Sequence, residues 1–169
     1  MSDRLDWSHT LSEIPEHGIT RRRSADAEVR AAIAADLDIV GCQRLDVSYE
    51  IKPLMQGRFL LAGRLQADVT QSCVVTLEPV NSRIDETFEV EFRPGARPDA
   101  QFDALDERDI EPLEGEVIPV GRIVYEQLAS ALDPYPRAAG AEFDPEKARP
   151  EDAEASNPFA VLKSLKPKM

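Results

Sequence analysis

Three consecutive stretches of this chain alternate apolar and polar residues with a period of two, and that pattern leaves few folds open. In Gln43–Leu54, residues Leu45, Val47, Tyr49 and Ile51 fall on one parity, and Arg44, Asp46, Ser48, Glu50 and Lys52 on the other. In Arg58–Cys73, Phe59, Leu61, Gly63, Leu65, Ala67, Val69 and Gln71 share a face. In Arg83–Phe92, Ile84, Phe88, Val90 and Phe92 do so, with Glu86 interrupting. A strand sends successive side chains to opposite faces, so each run reads as a half-buried strand with one solvated side. Met55–Gly57 reads as the turn between the first two runs, and Gln71–Asp85 as the hairpin tip between the second and third. Pro79 lacks an amide to give to a ladder and marks a turn or strand end. Gly63 in mid-run suggests a bulge or bend. Strands joined by short turns predict an antiparallel meander, polar on one face.

Two helices accompany this sheet. In Ser24–Leu37, Ser24 suits an N-cap, Asp26 and Glu28 sit in the positive first turn, and Ala25, Val29, Ile33 and Leu37 form one apolar stripe. Gly121–Leu132 aligns Val124, Leu128 and Leu132, widened by Val120, Ile123 and Ala131, and stops at Asp133-Pro134-Tyr135-Pro136. Pro119 suits its first turn, after a short strand at Leu113–Val120. Upstream, Trp7, Leu11 and Ile14 anchor a short opening strand, with the Trp7 ring on the core. The predicted fold is therefore α+β: an antiparallel twisted sheet, or a partly closed β-barrel, with two main helices packed on it. One domain is expected at 1–136, with a long acidic loop at 93–112 anchored by Phe102 and Leu105. A flexible linker follows at 137–156. A short helix and basic tail, NPFAVLKSLK and beyond, complete the chain at 157–169.

Charge narrows the function classes. The formal net charge is −12, which favours basic partners and disfavours non-specific attraction to nucleic acid. The acidity concentrates in residues 99–154, net −11, while 155–169 carry +3. The opening MSDRLDWSHTLSEIP has no apolar core of signal-peptide length, and no run reaches the about 20 apolar residues of a membrane span. A cytoplasmic protein without a membrane partner is expected. The sequence holds no Gly-rich phosphate loop, no GxSxG and no HExxH. His9 and His17 read as surface histidines. Cys42 and Cys73 form no disulfide framework, although one bridge stays open, and without two more ligands they make no zinc site. The acidic stretch at 99–116 is either a solvated loop or a docking surface for a basic protein. Arg21, Arg22 and Arg23, with Arg44, Arg58 and Arg64 on neighbouring strands, are the candidate phosphate or RNA contacts.

The ordered set GRLQADVTQSCVVTLEPV, LEGEVIPVGRIVYEQLASALDPYPR and NPFAVLKSLK resembles the YceD family, the large ribosomal RNA subunit accumulation proteins. Cys73, Thr76, Leu77, Glu78 and Pro79 look like its first signature, Cys-x-x-Cys-Leu-x-Pro. Leu128, Leu132, Pro134 and Pro136 look like its second. Thr76 stands where many relatives have a second cysteine, and Arg137–Phe143 lacks the further cysteines that many relatives carry there. Both halves of a Cys-rich metal site are missing together, so no zinc and no other cofactor is expected, and Cys73 reads as a small buried apolar residue. The resemblance implies a non-enzymatic ribosome-biogenesis factor. It would support synthesis, processing or stability of large-subunit ribosomal RNA, touching that RNA directly or through a basic ribosomal or assembly protein. The alternative is a metal-dependent nuclease using clustered carboxylates such as Asp103, Asp106 and Glu107.

Overall fold

The computed structural model describes residues 5–95 and 109–142. In chain order the elements are β1 (Ser8–Thr10), β2 (Ile19–Ser24), α1 (Ala27–Asp36), β3 (Gly41–Pro53), β4 (Phe59–Ser72), β5 (Pro79–Arg93), β6 (Asp109–Pro112), β7 (Val117–Pro119) and α2 (Val120–Ala131). The chain divides into two compact units, Met1–Ala138 and Ala139–Met169, and the elements among the described residues belong to the first.

The predicted alternation sets which side chains leave water. Leu45, Val47, Tyr49 and Ile51 of β3, Leu61, Leu65, Ala67 and Val69 of β4, and Ile84, Phe88, Val90 and Phe92 of β5 are all buried in one core. Ile33 of α1 and Val120, Ile123, Val124 and Leu128 of α2 close over them, and Trp7 packs against the same core. Burying each large aliphatic side chain contributes about 1.5–3 kcal/mol. The sheet is twisted and open, in the order β2-β3-β4-β5-β6, with β2 and β6 at its edges. Of the two forms expected from the sequence, the open sheet is the one that forms. β1 and β7 make a separate antiparallel ribbon.

Several local expectations are corrected. Register runs unbroken through Tyr49, Gly63 and Phe88, so Gly63 is no bulge. The glycine instead leaves room for the Phe88 ring: a Cβ there would lie 2.5 Å from its Cζ. The register shift occurs between Cys42 and Arg44. The N-cap of α1 is Asp26, whose carboxylate accepts from the Val29 amide at 2.8 Å. Ser24 ends β2 and donates to Asp46 at 2.6 Å. β5 begins at Pro79 rather than Arg83, because the first position of a strand tolerates a missing amide. Within the stretch read as an excursion, Arg93 still belongs to β5, and Asp109–Pro112 pairs parallel to that strand as β6. Phe102 and Leu105 lie outside the described residues. Pro119 is the N-cap of α2, and Gly121 lies so close to Leu5 that a Cβ would collide with its carbonyl.

Candidate functional site

The two signature segments, far apart in sequence, meet at one end of β4. The strand ends at Ser72, and Cys73–Glu78 turns the chain back into β5. The turn is closed by the Cys73 amide donating to the Glu78 carbonyl at 2.8 Å and the Leu77 amide donating to the Cys73 carbonyl at 3.0 Å. Against it lies the chain leaving α2. The Val74 amide donates to the Pro136 carbonyl at 2.9 Å, and the Gln71 side-chain amide to the Asp133 carbonyl at 2.9 Å. Asp133 in turn accepts from the Tyr135 amide at 2.9 Å, which fixes the exit between the prolines. Leu128 and Leu132 hold the end of α2 on the core: Leu128 is fully buried and Leu132 packs at the margin. Seven of the nine signature residues, Cys73, Thr76, Leu77, Glu78, Pro79, Pro134 and Pro136, thus border one place.

Cys73 is the hub of that junction, and its role corrects the apolar reading. Its side chain has no exposed surface, yet its Sγ accepts amides from Val75 at 3.4 Å, Thr76 at 3.4 Å and Ala138 at 3.3 Å. The Ala138 amide first, then the Thr76 hydroxyl and amide, favour the thiolate, and burial opposes them more weakly. The thiol is lowered to about 6. Cys42, also buried, is pushed the other way, first by desolvation. Both thiols are free, so the bridge left open by the sequence is not formed. Thr76 and the cysteine-free Arg137–Phe143 supply no further sulfur, so the residues present do not fit a Cys-rich metal centre. No group of three or more His, Cys, Asp or Glu able to hold a metal occurs among the described residues.

The turn also carries backbone strain and exposed apolar surface. Leu77 sits at φ 61°, in the left-handed region that non-glycine residues rarely occupy, with its side chain 78% exposed. Val74 is 49% exposed and Tyr135 72%. The sequence singled out Leu77 as part of a motif and Tyr135 as a residue held extended, but gave no sign that either faces water. Nothing in the sequence marks Val74, whose setting depends on where the exit of α2 lands.

The arginine candidates divide. Arg44 pairs with Asp46 at 2.5 Å. Arg64 forks onto Asp85 at 2.5 and 2.7 Å, holding that carboxyl down to about 2. Arg58 pairs with buried Glu91 at 3.0 Å, beside Arg93 at 2.7 Å. Arg21, Arg22 and Arg23 are exposed along edge strand β2. Register puts Arg22 in line with Ser48 and Arg64 on the outer face, while Arg21 and Arg23 alternate to the other side. Arg58 precedes β4 and turns to Glu91 of β5.

His9 corrects the surface-histidine reading; His17 is exposed as expected. His9 is buried, 2.7 Å from the Tyr49 hydroxyl, and its pKa is lowered first by desolvation and then by Arg21 and Arg23. No helix among the described residues is long and apolar enough to cross a membrane. Asp103, Asp106 and Glu107 lie outside the described residues.

An open α+β sheet whose hairpin turn is tied to the proline-bounded exit of its last helix defines the class structurally. The family model of the large ribosomal RNA subunit accumulation protein YceD matches residues 61–166, and the chain belongs to that family. No curated protein and no solved structure matches the chain.

Proposed function

We propose that this protein is a non-catalytic ribosome-biogenesis factor that supports the synthesis, processing or stability of large-subunit ribosomal RNA, acting in the cytoplasm mainly through contacts with basic ribosomal or assembly proteins. The observation that carries this reading is the junction of the two signature segments, a fixed surface on a chain of net charge −12. The acidic stretch at 99–116, a linker proposed at 137–156 and a short helix and basic tail proposed at 157–169 support a docking role; residues 143–169 lie outside the described residues. Family membership supports the link to the large-subunit RNA. Depleting the protein is expected to lower large-subunit precursor and mature RNA relative to the small subunit; unchanged levels overturn the proposal. Elemental analysis of purified protein is expected to find no stoichiometric zinc.

A second reading, direct contact with RNA phosphate, is favoured by the three exposed arginines of β2, of which Arg22 lines up with Arg64. Local acid pairing of Arg44, Arg58 and Arg64 weighs against a broad basic patch. If the arginines bind RNA, Arg21→Ala, Arg22→Ala and Arg23→Ala together reduce the salt dependence of binding to a ribosomal RNA fragment.

A further inference from the structure

We infer that Val74, Leu77 and Tyr135 form a preorganised apolar knob that docks into an apolar socket, rimmed by lysine or arginine, on a protein partner. The inference rests on the proposed function for the partner's class and deepens it by naming the surface. Of the large hydrophobic side chains exposed in the described residues, these three are held in one hydrogen-bonded junction through Val74 to Pro136, Leu77 to Cys73, and Tyr135 to Asp133. Apolar side chains on a mobile loop would lose rotamer and backbone freedom on binding. Here the backbone part of that freedom is already reduced. Leu77 is locked in a left-handed turn, with the Ser72 hydroxyl donating to its carbonyl at 3.2 Å, and Tyr135 stands between two prolines. An exposed tyrosine and exposed aliphatic side chains on two segments bonded to each other suit an interface hot spot.

Charge selects the occupant. Glu78 and Asp133 are exposed beside the knob, with Arg137 the one cation on the two segments 74–78 and 133–138. With the chain at −12, a nucleic acid or an anionic lipid surface meets repulsion, whereas a basic protein is attracted. Leu77 and Val74 offer no flat ring to a base, and three side chains are too few for stable insertion into lipid.

The test uses the full-length chain carrying a photo-reactive benzoylphenylalanine in place of Tyr135, or in place of Met55 at the other end of β4 as a control. Each is irradiated with RNA-free total protein from large ribosomal subunits and their assembly precursors. The expected result is a cross-link from position 135, and not from 55, to one identified protein of basic pI, with the purified pair then binding directly. Leu77→Gly removes the side chain and relieves the left-handed strain, so it keeps the fold; it is expected to weaken that binding at least tenfold while the thermal transition stays cooperative and moves by no more than a few degrees. Equal cross-linking from both positions, a cross-link to an acidic protein or to this chain itself, no cross-link, co-sedimentation with phosphatidylglycerol vesicles, or binding indifferent to Leu77→Gly overturns the inference. Depletion separates the two ideas. A loss of large-subunit RNA without a cross-link leaves the proposed function standing and removes the knob; a basic partner on the knob with unchanged RNA does the reverse.

Discussion

The two hairpin turns of β4 look alike at first. The turn at Met55–Gly57 places Gln56 at φ 64° and leaves Met55 81% exposed; the turn at 73–78 places Leu77 at φ 61° and leaves it 78% exposed. Their supports differ. The first is held by the Leu54 amide on the Arg58 carbonyl and by the Arg58 guanidinium on the Met55 carbonyl, all from the hairpin itself. The second closes on itself through Cys73, Leu77 and Glu78 and is held in addition by Pro136, Asp133 and Ala138, about sixty residues downstream. A turn that only reverses the chain needs local bonds. A turn supported from a distant segment holds its exposed side chains in a fixed place, and that makes it a surface rather than a connection.

The largest effect is expected on the strand the turns share. Gly63→Val pushes into Phe88 and should cost about 2–3 kcal/mol, read as a lower Tm; an unchanged Tm would mean the sheet yields there, and that neither turn is firmly based. Next is buried Glu91 of β5, which pairs with Arg58 at the edge of the first turn. Glu91→Ala strips Arg93 and Arg58 of a buried carboxylate and should cost about 2 kcal/mol, reduced by the partial exposure of both arginines. Arg93 first, and Arg58 with it, hold the Glu91 pKa below its ordinary value. That stabilisation is complete above the usual 4.5 and is lost as pH falls through the lower folded value, which urea titrations across acid pH will show.

The support of the second turn should respond more modestly. Cys73→Ala leaves three amides without their acceptor and should lower Tm by roughly 3–6 °C, with Cys73→Ser intermediate. The thiol falls from 9.0 to about 6 on folding, so its contribution is complete above 9 and fades as pH drops to 6. Ultraviolet titration of the thiolate, and loss of that pH slope in Cys73→Ala, check it. The smallest stability effects separate the turns by function. Gln56→Gly and Leu77→Gly should each shift stability by no more than about 1 kcal/mol, since relief of the left-handed strain is offset by a freer unfolded chain. Only Leu77→Gly should reduce partner binding. Equal loss from both would erase the distinction drawn between the turns.

The chain's own order of residues determined the sheet and its faces. A period of two admits one assignment of Leu45 to Ile51 and Leu61 to Val69, because a slip by one residue would bury Arg44, Asp46 and Glu50. Elements carried by few residues were less legible. β6 is four residues without alternation, and β2 hides its strand in three arginines that solvent accepts at an edge. Motif spacing named most of the candidate site, yet it could not tell that Cys73 would gather amides or that His9 would be buried. Those depend on which distant segment arrives: for the thiol, Ala138 from the exit of α2, and for the knob, Pro136 on the Val74 amide. Local pattern sets periodicity, propensity and charge, because those act between near neighbours. Burial, hydrogen-bond partners and exposed hydrophobic clusters are decided only when tertiary packing brings remote residues within bonding distance.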